Sequence, residues 1–275
     1  MKIAVCFYGL TRSLKHTMVS IDKNVLEPAR NLGDVRVFAH FFDQERIENT
    51  RSRESSVLDR DEHRLLGAHN LELEKPDACL MQHDFEELKE FGDTRRDGFS
   101  SLRNLVHALH SLKKVTETAL AWEPDIVIFA RPDLMYHDSL ESYVADAVNA
   151  PDPCIYIPDW QHWRGGYNDR FAICTSPQSA LAYGTRVDRM LDFCRYFREA
   201  VHSESLNRFV LDNEGIEVRL MDARASRVRA DGRIKKERFG CSKSDTVKTF
   251  IRQMVRRLRG THEWVSNSYV SSQKP

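Results

Sequence analysis

At 275 residues the chain can form one large α/β domain or two small ones, with length enough to bury a substantial core. Hydrophobic residues make up 41% and charged residues 30%, which excludes wholesale disorder and collagen-like architecture. The formal charge of zero hides an asymmetry: residues 224–259 hold thirteen Lys/Arg against Asp231, Glu237 and Asp245, about +10, leaving about −10 elsewhere.

Six cysteines are scattered without a CxxC or CxxH pair, and most sit in apolar surroundings, which points to reduced thiols and a cytoplasmic protein. Residues 1–7 are too short for a signal h-region, and no apolar run reaches membrane-spanning length.

In chain order, residues 2–7 and 35–42 are apolar enough for buried strands, and 13–32 between them reads as a helix, so the chain opens as a βαβ unit. Residues 44–70, crowded with charge, read as an extended, partly mobile insertion. A third strand is expected at 77–82, then a short helix at 85–91 capped by Asp84. Leu102, Leu105, Val106, Leu109, Leu112 and Val115 recur at helical spacing and predict a helix over 100–122, capped by Ser100 or Ser101 and stopped by Pro124. Residues 125–130 form a strand buried on both faces, ending at Arg131-Pro132-Asp133.

A helix at 139–148, strands at 154–157 and 171–174, a long helix from Pro177 to about 201, a helix at 204–211 and a strand at 216–221 complete the pattern. Beyond 231 the basic stretch 247–259 places Val247, Phe250, Ile251, Met254, Val255 and Leu258 on one helical face. Such a helix either lies on an anionic membrane surface or docks on the core with its basic face in water. No internal repeat or linker divides residues 1–231, so the expected organisation is one domain there and a basic amphipathic tail over 232–275.

Ligands of open parallel sheets bind outside the carboxyl ends of the strands, and three polar clusters fall there. After the first strand, Gly9 permits a sharp turn, Thr11 and Ser13 bring hydroxyls, and Arg12 brings a fork suited to phosphate. After the 125–130 strand, Pro132 presents Arg131 and Asp133 rigidly; an acid there can hold a divalent ion and an arginine can neutralise phosphate. The loop from Trp160 to Arg170 carries Trp163, a Gly-Gly pair, Asn168 and Asp169: aromatic faces stack on sugar rings, and Asp or Asn binds hydroxyls or acts as a base. Each cluster also has a plain structural reading as a turn, an ion pair or an aromatic plug. Arg103, Asn104 and His107 share one face of the long helix and could line a pocket, although a solvated face is the favoured reading.

The opening Ile3-Ala4-Val5-Cys6-Phe7-Tyr8-Gly9-Leu10-Thr11-Arg12-Ser13, the strand ending Arg131-Pro132-Asp133-Leu134, and the segment Gly165-Gly166-Tyr167-Asn168-Asp169-Arg170-Phe171-Ala172 together resemble a little-characterised group of glycosyltransferase-like proteins. The resemblance implies a single Rossmann-like domain of the nucleotide-diphospho-sugar transferase (GT-A) type, with a mostly parallel central sheet flanked by helices. It implies transfer of a sugar from a nucleotide-diphospho-sugar to a hydroxyl of a glycan or lipid-linked acceptor, in surface polysaccharide or glycoconjugate synthesis. Gly9 and Arg12 would then contact the nucleotide, and Arg131-Pro132-Asp133 would stand in place of the family's Asp-x-Asp motif. Because Arg131 replaces the first acid, Asp133 is the one carboxylate of the motif left for Mn²⁺ or Mg²⁺. Asp169 would be the base of an inverting transfer, with Asn168 and Trp163 beside it; Arg103 would border the nucleotide pocket.

Two alternatives belong to other classes. Cys6 and Arg12 match the C-x₅-R spacing of a thiolate phosphatase loop, with Asp152 as a candidate acid, but Phe7, Tyr8 and Leu10 are bulky for converging amides. The same cleft could also bind a sugar nucleotide without turnover. GxxxxGK[ST], GxGxxG and HExxH are absent, and the basic tail lacks the interleaved aromatics of a nucleic-acid-binding module, so no nucleic-acid partner is expected.

Overall fold

The computed structural model describes residues 1–49, 52 and 54–240; the amphipathic segment 247–258 lies outside the described residues. β1 (Lys2–Gly9) feeds α1 (Leu14–Ile21), a π-turn over Asp22–Leu26 and α2 (Glu27–Leu32), one helical stretch as expected for 13–32. β2 (Asp34–Phe42) returns parallel to β1, with Ile3 opposite Val35.

The charged insertion is structured. β3 (Arg46–Asn49) and β4 (Glu54–Val57) form an antiparallel hairpin, and β5 (Asn70–Glu74) adds to the sheet beside β2. The expected strand at 77–82 is instead a 3₁₀ turn over Ala78–His83. Its apolar run misleads because Cys79 is buried while Met81 is 91% exposed.

α3 (Phe85–Glu90) and α4 (Ser100–Leu120) follow. Asp84 stands at the expected N-cap of α3, but neither Ser100 nor Ser101 is the N-cap of α4. Asp84 takes a left-handed backbone without side-chain capping, and at α4 Phe99 holds the N-cap while Asp97 accepts from the Ser101 amide and hydroxyl.

β6 (Ile126–Ala130) pairs parallel with β1, and β7 (Leu134–Tyr136) starts a small second sheet. α5 (Glu141–Val148), β8 (Cys154–Pro158) and β9 (Ala172–Cys174) come next. The long helix expected after Pro177 breaks into α6 (Pro177–Gly184), a 3₁₀ turn and α7 (Met190–Phe197). α8 (Ser203–Asn213), β10 (Glu217–Met221) and β11 (Ala225–Arg227, antiparallel to β7) complete the described chain.

The seven-stranded sheet runs β10-β8-β9-β6-β1-β2-β5, parallel throughout except for β9. This mixed α/β class, a mostly parallel sheet with helices on both faces, is the one expected. The continuous apolar run of β1 follows from double-sided burial. Ala4, Cys6 and Tyr8 pack toward α4 residues such as Val106 and Leu109, while Ile3, Val5 and Phe7 pack toward Leu14, Ile21 and Ala29. Polar groups are thereby driven to the strand ends, where the backbone leaves the sheet.

Candidate active site

Gly9 leaves β1 with φ of 100°, a conformation glycine adopts at little cost, and turns the chain toward Arg12. Arg12 meets the end of β6. One Arg12 guanidinium nitrogen donates to Asp133 Oδ2 at 2.6 Å, and Arg131 grips the same carboxylate through Nε to Oδ1 and a terminal nitrogen to Oδ2, both at 2.9 Å. Burial alone would push the Asp133 carboxyl up, but Arg131 and Arg12 outweigh it and hold the group well below the usual carboxylate range. Asp133 is 3% exposed and serves as the counter-charge between two guanidiniums. Arg12 is braced further by Glu54 at 3.2 Å, which also accepts from Arg229 at 2.8 Å, so the hairpin is tied to the same cluster.

A second polar centre lines the same cleft, of about 760 Å³, at the carboxyl rim of the sheet. Asp169 is held through its main chain, whose carbonyl accepts from the Tyr183 hydroxyl at 3.1 Å, and its carboxylate accepts from the Ser203 hydroxyl. Burial opposes its ionisation, but Arg170 and Arg186 carry the balance and its pKa lies below the ordinary range. Glu204, on the first turn of α8, goes the other way: burial, reinforced by the charge of Asp169, pushes it up to about 8. Its Oε2 lies 3.4 Å from His202 Nδ1. The two carboxyls are thus pushed in opposite directions, Asp169 toward its ionised form and Glu204 toward its protonated form. Gly166 makes this possible. A Cβ there would stand 2.0 Å from the Glu204 carbonyl, so only glycine lets the 159–170 loop press onto α8.

Of the residues the sequence singled out, Gly9, Arg12, Arg131, Asp133, Trp163 and Asp169 line this one cleft. Trp163 stands 47% exposed at the mouth. Asn168 is built into the loop: its Nδ2 donates to the Trp160 carbonyl and its Oδ1 accepts from the Arg170 amide at 2.8 Å, which fixes the turn carrying Asp169 and Arg170. Arg103 lies outside the lining, 3.9 Å from Asp77 on the outer face of α4. Its neighbours Asn104 and His107 do line the cleft.

Two cleft residues escaped the sequence reading. Arg186 is 1% exposed, lies 4.1 Å over the Tyr183 ring and has an Nε without a hydrogen-bond partner among the described residues. Glu204 is the other. Neither sits in a recognisable motif; an arginine between the apolar faces of α6 and α7 was the faint signal for the first. The lining carries eight Arg/Lys against five Asp/Glu, an excess that selects an anionic ligand. Glu237 closes one side: burial is overcome by Arg227, 2.7 Å away, and by Gln161, bringing its pKa down to about 2.

The thiolate reading is corrected here. Cys6 is fully buried within β1, and burial pushes its thiol well above the ordinary value, so it offers neither access nor a nucleophile. One His/Glu/His group among the described residues has ligand atoms within 4.8 Å of one another: His40, Glu74 and His110, at the ends of β2 and β5 and on α4. No helix among the described residues is long and apolar enough to cross a membrane.

No protein-family model matches the chain, and no curated protein matches its sequence. Among solved structures, mouse xyloside xylosyltransferase 1 is similar at 10% identity and a TM-score of 0.41, over 80% of this chain and 85% of that one. The galactosyltransferase LgtC, crystallised with donor and acceptor sugar analogues, is similar at 12% identity and 0.42, over 79% and 73%. A putative glucose-1-phosphate thymidylyltransferase from Bacillus anthracis, in complex with a sucrose, follows at 8% identity and 0.40, over 93% and 96%. These likenesses concern the fold and name no substrate for this chain.

Proposed function

We propose that this chain is a glycosyltransferase that moves a sugar from a nucleotide-diphospho-sugar to an acceptor hydroxyl. One observation carries the reading: a guanidinium pair clamped on Asp133 shares a single cleft with two carboxyls whose pKa values are pushed in opposite directions. A diphosphate is the ligand class that such a cluster neutralises, and an ionised carboxylate beside it can take a proton from an incoming hydroxyl.

In this reading the Gly9 turn and Arg12, Arg131 and Arg186 hold the diphosphate and disperse the charge that grows on the leaving group. Asp169 deprotonates the acceptor hydroxyl, oriented by Ser203 and by the Tyr183 hydroxyl on its carbonyl. Glu204, whose protonated form is favoured by burial and by the Asp169 charge, donates a hydrogen bond to the sugar or the acceptor. Trp163 offers its exposed ring at the mouth as a stacking face.

Asp133 does not fit Mn²⁺ or Mg²⁺ as arranged. Both of its oxygens already accept from arginines, and a divalent ion would have to displace two guanidiniums of like charge. The residues therefore assign diphosphate neutralisation to arginine. A glycan or lipid-linked acceptor at the cytoplasmic membrane face, reached by the basic tail over 232–275, belongs to the same proposal.

Incubation with UDP-, GDP-, CMP- and dTDP-sugars, with and without Mn²⁺, tests it. Donor hydrolysis by the wild type that falls about 10²–10⁴-fold in Asp169→Asn supports a transferase. Nucleotide-induced thermal stabilisation without any turnover would instead make the protein a sugar-nucleotide binder.

A further inference from the structure

We propose that His40, Glu74 and His110 form a transition-metal site of the zinc type, separate from the cleft and bracing the sheet edge behind it. His40 Nε2 and His110 Nε2 lie 3.1 and 2.9 Å from the same atom, Glu74 Oε2, and all three ligand atoms fall within 4.8 Å. Metal bonds of about 2.0–2.1 Å meeting at roughly 90–110° separate their ligand atoms by about 3.0–3.4 Å, so small shifts seat an ion.

The hydrogen bonds behind the ligands give an independent reason. Ser111 Oγ has one proton, and it donates that proton to the His40 carbonyl at 2.6 Å while accepting from the Gly9 amide at 2.7 Å. His40 Nδ1, 3.0 Å from the same oxygen, must then be the donor. With Nδ1 engaged as a donor, Nε2 is the ring nitrogen directed at Glu74 Oε2, and in the neutral imidazole it carries the lone pair that a metal takes. A metal-binding histidine has its other nitrogen anchored in this manner. The far nitrogen of His110 is also engaged, Nδ1 lying 2.9 Å from His83 Nε2. Two imidazoles and one carboxylate suit Zn²⁺ better than Mg²⁺ or Ca²⁺, which prefer all-oxygen sets.

The three ligands come from β2, β5 and α4, and Ser111 ties them to the Gly9 amide. An ion here would pin the edge strand and steady the turn that leads to Arg12. Water or Glu72, whose Oε1 lies 4.0 Å from His40 Nε2, completes the coordination.

The test strips the full-length protein with EDTA, then titrates Zn²⁺ calorimetrically and Co²⁺ by visible absorption. One equivalent should bind, with d–d bands of histidine-ligated cobalt and a rise in melting temperature. Glu74→Gln and His110→Asn should each weaken Zn²⁺ at least about 100-fold, since loss of an outer-shell partner alone costs about 10–100-fold. Should His110→Asn not fold, the partly exposed Glu74 carries the comparison through Glu74→Gln and Glu74→Ala. Absence of binding in the wild type, or unchanged binding in the Glu74 variants, overturns the site. Donor hydrolysis, measured separately, decides the transferase reading and does not enter this outcome.

Discussion

Replacing Glu204 by glutamine tests the electrostatics of the cleft without touching its shape. The folded protein holds the Glu204 proton up to about pH 8, against an ordinary value of 4.5, because burial and the Asp169 charge disfavour its ionised form. Folded pKa above unfolded pKa means that the native state binds the extra proton. This contribution to stability is complete below about pH 4.5, is lost as pH rises toward 8, and is flat beyond. One proton limits the slope to about 1.4 kcal/mol per pH unit, and the displacement corresponds to on the order of 3–5 kcal/mol across the window. Urea unfolding of wild type and Glu204→Gln at pH 5, 6, 7, 8 and 9 measures it. The variant should gain on the wild type by several kcal/mol between pH 5 and 8 and by little between 8 and 9. A stability difference that stays constant within about 0.5 kcal/mol from pH 5 to 9 would show that Glu204 is ionised in the native cleft. The acid and base roles proposed for the pair would fall with it.

Asp133→Asn leaves Arg12 and Arg131 without their shared counter-charge, and breaking a buried pair in this way costs about 3–5 kcal/mol, read as a lower urea midpoint; a loss under about 1 kcal/mol would mean that water already solvates the cluster. Arg131→Ala should weaken the nucleoside diphosphate about 10–100-fold, the worth of one charge-assisted hydrogen bond, by calorimetry at constant ionic strength. Unaltered affinity would place the diphosphate elsewhere.

The strands β1, β2 and β6 and the helix α4 were legible because each buries apolar residues in the pattern that its geometry demands. β5 was not. It is an edge strand whose Leu71 and Leu73 are 39% and 46% exposed, so hydrophobicity did not separate it from the charged insertion around it. The break after α6 was equally hidden, since Gly184 is pressed onto Thr116 of α4, where a Cβ would meet Oγ1 at 2.2 Å, and that contact belongs to the tertiary fold. The site divides along the same line. Arg12, Arg131, Asp133 and Asp169 follow strand ends or loops, where polar residues interrupt an apolar pattern and stand out. Arg186 and Glu204 sit in helical segments, and only packing turns them into the cleft.

The presence of Arg131 two residues before Asp133 explains why that carboxylate is not free. With two acids at that strand end, a cation would be needed to hold them together; with Arg131 present, the cation is covalently part of the chain. Asp133 spends its charge on Arg131 and Arg12, leaving the trio with a surplus positive charge. Of the three side chains, Arg131 is 27% and Arg12 12% exposed while Asp133 is 4%, so the surplus is presented by guanidiniums and the acid stays behind them. Under the proposed function, a diphosphate approaching this face would meet fixed donors that need little reorganisation, the condition under which electrostatic stabilisation of a leaving group is most effective. The cleft therefore offers fixed guanidinium charge to an anion, with the carboxyls of Asp169 and Glu204 in the same lining.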